Sequence, residues 1–161
     1  NCKVLFIGEA PGKTEDELRR PFVGRSGKLL DKMLNEIGMK REDVYITNIV
    51  KRRPPENRDP LPEEIIAYKP YLTRQIDIIK PTLIATLGRF SMQYIMERYG
   101  LKDKVKSISL IHGKVFETEM PYGKIKVVPL YHPAVAIYNQ HSKKDLLTDF
   151  KVLKQFTLLN D

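Results

Sequence analysis

The chain has 161 residues, 42% of them hydrophobic, which suits a single domain over residues 1–161 with a substantial core. No apolar run approaches the roughly 20 residues that cross a bilayer, so we expect no membrane segment. The one cysteine, Cys2, excludes an internal disulfide and fits a reducing cytoplasm. We also expect a monomer. The net charge of +8 favours a polyanionic partner such as nucleic acid, although general solubility would explain the charge equally well.

Apolar runs and helical spacing divide the chain into alternating strands and helices. Short continuous apolar runs predict strands buried on both faces, and apolar residues at helical spacing predict helices between them. In chain order we expect a strand (3–8), a helix (26–39), a strand (43–50), a proline-rich loop (51–62), a helix kinked at Pro70 (63–79), a strand (81–88), a helix (89–100), a hairpin that leads into a last strand (113–130) and a helix (143–156). This alternation predicts an α/β fold, with a parallel sheet covered on both faces.

The segment GEAPGKT, which follows the first strand, has some features of a nucleotide-binding P-loop, but its spacing does not fit. Only three residues separate Gly8 from Gly12, whereas a P-loop has four. Pro11 has no N–H to offer a phosphate, and Glu9 would repel one. We therefore interpret this segment as a loop at the end of a buried strand.

Polar side chains follow the first, second and last strands. Glu9, Asn48 and His132 are far apart in the sequence, but each comes at the end of a predicted strand. Ligands of open parallel sheets bind beyond the carboxyl ends of the strands. We therefore expect these three residues to converge on one site.

Four segments, taken in order, carry a resemblance to a known family: GEAPGKTED, RRPFVGRSGKLLDKML, ITNIVKRRPPENRDP and YHPAVAIY. Together they resemble the uracil-DNA glycosylase superfamily, and most closely its family four, the thermostable bacterial and archaeal type. The resemblance implies an α/β/α sandwich around a central, mainly parallel four-stranded sheet. It also implies a DNA repair enzyme that flips uracil out of DNA and hydrolyses its N-glycosidic bond, leaving an abasic site.

The resemblance assigns three residues to the flipped base. Phe22 is the aromatic floor on which uracil stacks, and Asn48 is the amide that distinguishes uracil from cytosine at its hydrogen-bonding edge. His132 donates to a uracil carbonyl as negative charge develops on the leaving base. Each has a structural alternative: a core phenylalanine, a turn asparagine and a scaffold histidine before proline.

The glycine-rich loop supplies the rest of the pocket. Gly8 and Ala10 cradle the nucleotide, and Ala10 stands where other families of the superfamily have an aspartate. Two acids remain as catalytic candidates. Glu9 acts either through its backbone or by holding the attacking water or the sugar cation, and Glu15 shapes the wall against the 5-methyl group of thymine. The sequence does not single out a general base.

Two further sets of residues suit contacts with DNA. The segment after His132 would supply an apolar wedge that fills the gap left by the flipped nucleotide, with Ile137 as the first candidate, or it is an ordinary helix start. Basic and polar residues near the loops suit phosphate contacts, or form a solvated surface. The wedge segment contributes Pro133, Ala136, Ile137 and Tyr138, and the phosphate contacts are Ser26, Lys28, Lys51, Arg52, Arg53 and Arg58.

The chain departs from family four at its iron–sulfur cluster. Family four typically holds a [4Fe–4S] cluster on four cysteines, and here Arg52 and Tyr68 stand at two of those positions. A single cysteine cannot hold such a cluster, so we expect no metal and no cofactor. The departure leaves open a relative with a different deaminated-base preference, or a DNA-binding protein of the same fold with weak or no catalysis. His112 and His141 match no motif and are predicted to be surface residues.

Overall fold

The computed structural model describes residues 3–11, 13–51, 53–54 and 60–157. Within these residues five strands form one sheet in the order β2-β1-β3-β5-β4. Four of them are parallel, and β4 pairs with β5 in the antiparallel direction at one edge. The strands are β1 (Val4–Gly8), β2 (Tyr45–Asn48), β3 (Leu83–Leu87), β4 (Phe116–Met120) and β5 (Gly123–Leu130).

Seven α-helices and two short 3₁₀ turns connect and cover these strands within the described part of the chain. The long helix α3 runs through Pro70 as one element. The helices are α1 (Lys13–Leu18), α2 (Arg25–Glu36), α3 (Pro62–Ile79), α4 (Arg89–Arg98), α5 (Ile108–Ile111), α6 (Pro133–Ala136) and α7 (Gln140–Thr157), and the 3₁₀ turns are Arg41–Asp43 and Lys102–Lys104. Among the described residues, no helix is both long and apolar enough to cross a membrane.

Two hydrophobic cores lie on opposite faces of the sheet. Alternate residues of a strand point to opposite faces, so Phe6 joins the core under α2 and α7, whereas Ile7 joins the core under α3 and α4. The Phe6 ring stacks on Phe150 of α7 with their centroids 5.7 Å apart. Because β1 is buried at every position, its sequence is continuously apolar. The α/β/α sandwich predicted from the sequence is confirmed.

The expected four-stranded sheet is extended by a fifth strand. The predicted hairpin around residues 120–123 contributes both of its strands, so β4 lies beside β5 as an antiparallel edge. The four parallel strands end on the same side. Gly8 of β1 is in register with Asn48 of β2, and the Gly88 amide after β3 donates to the Leu130 carbonyl at 2.9 Å. The loops after these four strands therefore meet at one edge of the sheet.

Candidate active site

A cavity of about 470 Å³ opens at this edge, beyond the carboxyl ends of the parallel strands. It brings together side chains from the loops after β1, β2 and β5 and from the start of α2. The residues that line it are Glu9, Ala10, Pro11, Glu15, Phe22, Ser26, Asn48, Pro54, His132, Ala134 and Val135. Glu9, Asn48 and His132, which the sequence predicts to converge, all line this cavity.

His132 caps the short helix α6 and is held as a neutral imidazole. Its Nδ1 accepts a hydrogen bond from the Ala134 amide at 3.0 Å. Burial lowers the pKa of His132 to about 4, although the negative charge of Glu15 acts in the opposite direction. Because Nδ1 is an acceptor, the ring proton of the neutral form lies on Nε2. His132 can therefore offer an N–H to a ligand without carrying a charge.

The Phe22 ring lies beside His132, with the two ring centroids 5.6 Å apart and the planes tilted by 32°. Its backbone has φ of +52°, a left-handed conformation that is unfavourable for a residue with a side chain. Arg41 holds this turn because its guanidinium donates to the carbonyls of Pro21 and Phe22 and pairs with Asp31 at 3.2 Å. The strained loop is thus fixed from outside the cavity.

Gly8 makes room for the side chains of Asn48 and Phe22. A Cβ at this position would lie 2.4 Å from Asn48 Oδ1 and 2.6 Å from Phe22 Cζ. Both distances are far below van der Waals contact, so the amide and the aromatic ring can meet over β1 only because residue 8 is glycine. The close approach explains why glycine ends this strand.

Asn48 is buried, and its side-chain oxygen is left unsatisfied. The residue is 6% exposed, and among the described residues no group hydrogen-bonds to Oδ1. A buried acceptor without a donor costs about 1–3 kcal/mol, and such exceptions in a native protein call for an explanation. Since Asn48 lines the cavity, a ligand that donates a hydrogen bond there would satisfy this atom.

The two acids Glu9, in the loop after β1, and Glu15, in the first turn of α1, differ in their surroundings. Glu15 clasps the Phe22 loop, because its Oε2 accepts hydrogen bonds from the amides of Val23, at 2.9 Å, and Gly24. Glu9 lines the cavity, and its main-chain carbonyl accepts from the Val50 amide at 2.9 Å. One carboxylate oxygen of Glu15 therefore has a structural task in addition to any role toward a ligand.

The predicted wedge needs correction at Ala136. This residue is 0% exposed and presents no apolar surface, whereas Ile137 is partly buried against the core and only part of its side chain is accessible. Helix α6 begins at Pro133, which is also buried, and a residue three positions later returns to the same face. The exposed apolar side chains are Val135 and Tyr138, at 52% and 79%. With α6 starting at the buried Pro133, helical spacing places Val135 on the exposed face.

The predicted phosphate contacts are distributed unevenly. Ser26 lines the cavity, Lys28 is exposed, and the Arg53 amide donates to Asp16 at 3.3 Å. The Lys51 ammonium points inward to three protein acceptors, so this geometry does not support a phosphate contact for Lys51. Arg52 and Arg58 lie outside the described residues.

Two contacts near the site were missed by sequence reasoning. Arg25 donates to the Tyr138 hydroxyl, and its guanidinium carbon lies 5.5 Å from the centre of the Tyr138 ring. His112 is not a free surface residue, because its Nδ1 lies 2.7 Å from Oδ2 of the buried Asp149 and its ring packs against Tyr131. His141 is exposed, as predicted, with a side chain that is 87% accessible.

The residues present do not fit an iron–sulfur cluster. The 161 residues of this chain contain one cysteine, whereas a [4Fe–4S] cluster is held by four thiolates. Tyr68, at one of the cysteine positions of family four, belongs to α3, is half-buried and packs against the core under that helix. Within the described ranges, no group of three or more His, Cys, Asp or Glu side chains could hold a metal ion.

Comparison with known proteins identifies the family. The family model described as "Uracil DNA glycosylase superfamily" matches residues 1–154. A type-4 uracil-DNA glycosylase of Saccharolobus solfataricus is 50% identical over 155 residues, which are 96% of this chain and 71% of that protein. Similar proteins of the same name from Archaeoglobus fulgidus, at 48% identity over 93% of this chain and 74% of that protein, and Thermotoga maritima, at 40% over 97% and 78%, also match. The chain therefore belongs to the uracil-DNA glycosylase superfamily.

Proposed function

We propose that this protein is a uracil-DNA glycosylase of the type-4 kind, which binds a uracil nucleotide flipped out of DNA and hydrolyses its N-glycosidic bond. The observation that carries the proposal is the unsatisfied Oδ1 of Asn48, buried in the same cavity as the neutral His132 and the Phe22 ring. The names of relatives that are 40–50% identical over nearly the whole chain support the same activity.

Asn48 explains the choice of base. Uracil carries an N–H at the ring position where neutral cytosine has a bare nitrogen. The Asn48 Oδ1 would accept from this N–H and would face cytosine's nitrogen acceptor to acceptor, leaving a buried polar atom unpaired. Discrimination against a missing donor is strong when the site is buried. The Phe22 ring lies beside the amide and offers a stacking surface for the flipped pyrimidine.

In this proposal, His132 lowers the activation barrier for breaking the N-glycosidic bond. When the N-glycosidic bond breaks, its electron pair leaves with the uracil nitrogen, and negative charge spreads to the uracil carbonyls. The Nε2–H of His132 donates to a carbonyl, and this hydrogen bond strengthens as the charge develops. A pKa of about 4 keeps the imidazole neutral near pH 7, so no proton has to be transferred.

The sugar side of the reaction needs a water molecule. The deoxyribose carbon becomes cationic as the base leaves, water adds to it, and a proton is released to solvent. We propose that Glu9, at the cavity wall, stabilises the cation or the water, while Glu15 supports the Phe22 loop and the wall that excludes thymine. Ala10 lines the cavity without contributing a charged group.

The DNA itself would lie across the mouth of the cavity. We propose that Val135 and Tyr138 fill the gap left by the flipped nucleotide, because they are exposed on and beside α6. Ser26, Lys28 and Arg53 would contact phosphates. We further propose that the protein acts as a cytoplasmic monomer on prokaryotic DNA and works without a [4Fe–4S] cluster, since Arg52 and Tyr68 are not ligands for iron in such clusters.

A single-uracil oligonucleotide tests the activity. The purified protein is incubated with end-labelled DNA that contains one uracil, and alkali then breaks the strand at any abasic site. Cleavage at the uracil position supports the proposal, whereas matched strands with cytosine or thymine at that position should stay intact. An intact uracil strand after long incubation with excess, folded protein would refute glycosylase activity and leave a DNA-binding relative.

A further inference from the structure

Lys51 is directed into the protein, although it belongs to a strongly basic segment. Its Nζ donates to Thr47 Oγ1 at 2.7 Å, to the Asn48 main-chain carbonyl at 2.6 Å and to Gln75 Oε1 at 2.7 Å. An ammonium group has three N–H donors, so these three acceptors use all of them. The contacts leave the ammonium no donor for a DNA phosphate.

These contacts fix the end of β2, where the uracil-recognition residue lies. On one side, the amides of Ile49 and Val50 donate to the carbonyls of Gly8 and Glu9, each at 2.9 Å. On the other side, Lys51 joins the backbone of Asn48 to the helix α3. The main chain of Asn48 is thus held between β1 and α3.

We propose that the Lys51 ammonium is a positioning group for uracil recognition, which holds the Asn48 backbone so that the Asn48 amide meets the edge of the base. The inference rests on the proposed glycosylase function. Lys51 faces a second cavity of about 530 Å³ behind Asn48, and its Nζ would act without touching uracil. Gln75 and Thr47 complete the positioning network, because the Thr47 hydroxyl also donates to Gln75 Oε1 at 3.0 Å.

The network requires the charged form of Lys51. A neutral amine has two N–H donors instead of three, so one of the three acceptors would lose its hydrogen bond. Burial lowers the pKa of Lys51 to about 8. The ammonium therefore predominates below pH 8 and is lost as the pH rises through that value. The other charged or titratable side chains that line the same cavity are Glu15, Asp16, Arg19, Arg20 and Tyr68.

The first experiment separates positioning from phosphate binding. Lys51→Met removes the ammonium, and Lys69→Met is the matched control, because Lys69 is exposed on α3 and has no part in the site. Single-turnover excision of uracil is measured together with the affinity for undamaged DNA at several salt concentrations. We expect Lys51→Met to slow excision roughly tenfold or more, the scale of a lost hydrogen bond from a charged donor. Affinity for undamaged DNA and its salt slope should stay unchanged.

The second experiment tests whether uracil excision requires the protonated form of Lys51. Gln75→Glu keeps the shape of the side chain and places a carboxylate against the ammonium, which raises the pKa of a lysine by about one unit or more. Wild-type excision should decline at alkaline pH with a midpoint near 8, and Gln75→Glu should move that midpoint upward by about one pH unit or more. Gln155→Glu adds the same charge at an exposed site of α7 and should leave the midpoint where it is. Affinity for undamaged DNA is measured at each pH, so that a change in DNA binding is separated from a change in the excision rate.

The outcomes are distinct. If Lys51→Met weakens binding to undamaged DNA and flattens the log–log salt slope by about 0.9, Lys51 is a phosphate contact and the inference is wrong. A folded Lys51→Met variant that excises uracil at the wild-type rate would also overturn it, as would an unmoved alkaline midpoint in Gln75→Glu. If Lys51→Met fails to fold, the alkaline midpoint of uracil excision in Gln75→Glu alone tests the positioning role of Lys51. If the wild-type protein excises no uracil at all, it is the proposed function that fails.

Discussion

Replacing His132 by alanine removes one preorganised donor from the candidate active site. The imidazole is held by the Ala134 amide at 3.0 Å, and a Cβ on Gly88 would lie 3.3 Å from the His132 Cβ, which shows how closely the backbone supports the ring. Because the ring is held before the substrate arrives, its N–H is aimed without reorganisation. Loss of one such donor to a developing anion raises the barrier by about 3–4 kcal/mol, or slows the reaction roughly a hundred- to a thousandfold.

Single-turnover kinetics and binding give the decisive comparison for His132→Ala. Since the hydrogen bond strengthens mainly in the transition state, the excision rate should fall far more than the affinity for uracil DNA. His141→Ala is the matched control, because His141 is exposed and lines no part of the cavity. A His132→Ala variant that folds normally, binds uracil DNA normally and cleaves near the wild-type rate would refute the assignment. A scaffold role would instead lower the melting temperature, binding and rate together.

The depressed pKa of His132 gives the same prediction a pH dependence. The folded value is about 4, below the ordinary value of 6.5. Above pH 6.5 the imidazole is neutral in both the folded and the unfolded protein. Between pH 6.5 and 4 the unfolded chain binds a proton that the folded protein does not, so the free energy of unfolding falls by up to about 3 kcal/mol. His132→Ala should be less sensitive to acid over this range, and wild-type excision should not change between about pH 5 and 7 through this residue.

Four further outcomes are expected. Asn48→Asp should weaken discrimination against cytosine, because a protonated or reoriented carboxyl can meet cytosine's edge, and unchanged uracil excision in Asn48→Ala would remove Asn48 from the base-binding site. Gly8→Ala should lower uracil excision strongly, measured at single turnover, since the added Cβ would lie 2.4 Å from Asn48 Oδ1. Replacing Lys28 and Arg53 together by alanine should flatten the log–log salt slope of DNA binding by up to about two, and an unchanged slope would place both in solvent. The purified protein should contain no iron, and about four iron atoms per chain would contradict this expectation.

The layered fold could be predicted because its signals are local and redundant. A strand that is buried on both faces has a nearly continuous run of apolar residues, and the sequences of β1 and β3 are such runs. Helix α2 buries residues at helical spacing, so its period was visible as well. The second strand was predicted too long, since Arg41–Asp43 forms a 3₁₀ turn before it and Asn48 ends it. Helix and strand ends depend on hydrogen bonds to other segments, which periodicity does not contain.

The orientation of side chains in loops could not be predicted. Lys51 stands in a run of basic residues and looked like a phosphate contact, but Gln75, which lies 24 positions away in the sequence, turns it inward. Arg41 had no motif, and it holds the Phe22 turn only because the fold brings the start of β2 beside that loop. Ala136 was misplaced because the start of α6, and hence its buried face, was not fixed by the sequence pattern alone.

Two unfavourable features of the candidate site explain why contacts such as those of Arg41 and Glu15 are needed around it. The left-handed backbone of Phe22 costs about 1–2 kcal/mol, and the unpaired Oδ1 of Asn48 costs about 1–3 kcal/mol. Neither is relieved within the described part of the protein, so contacts from outside the cavity must hold both groups in place. A uracil that stacks on the ring and donates to the amide would recover the second cost at the moment of binding, whereas cytosine would leave it unrecovered. Under the proposed function, the buried acceptor that costs stability is therefore the atom that selects the base.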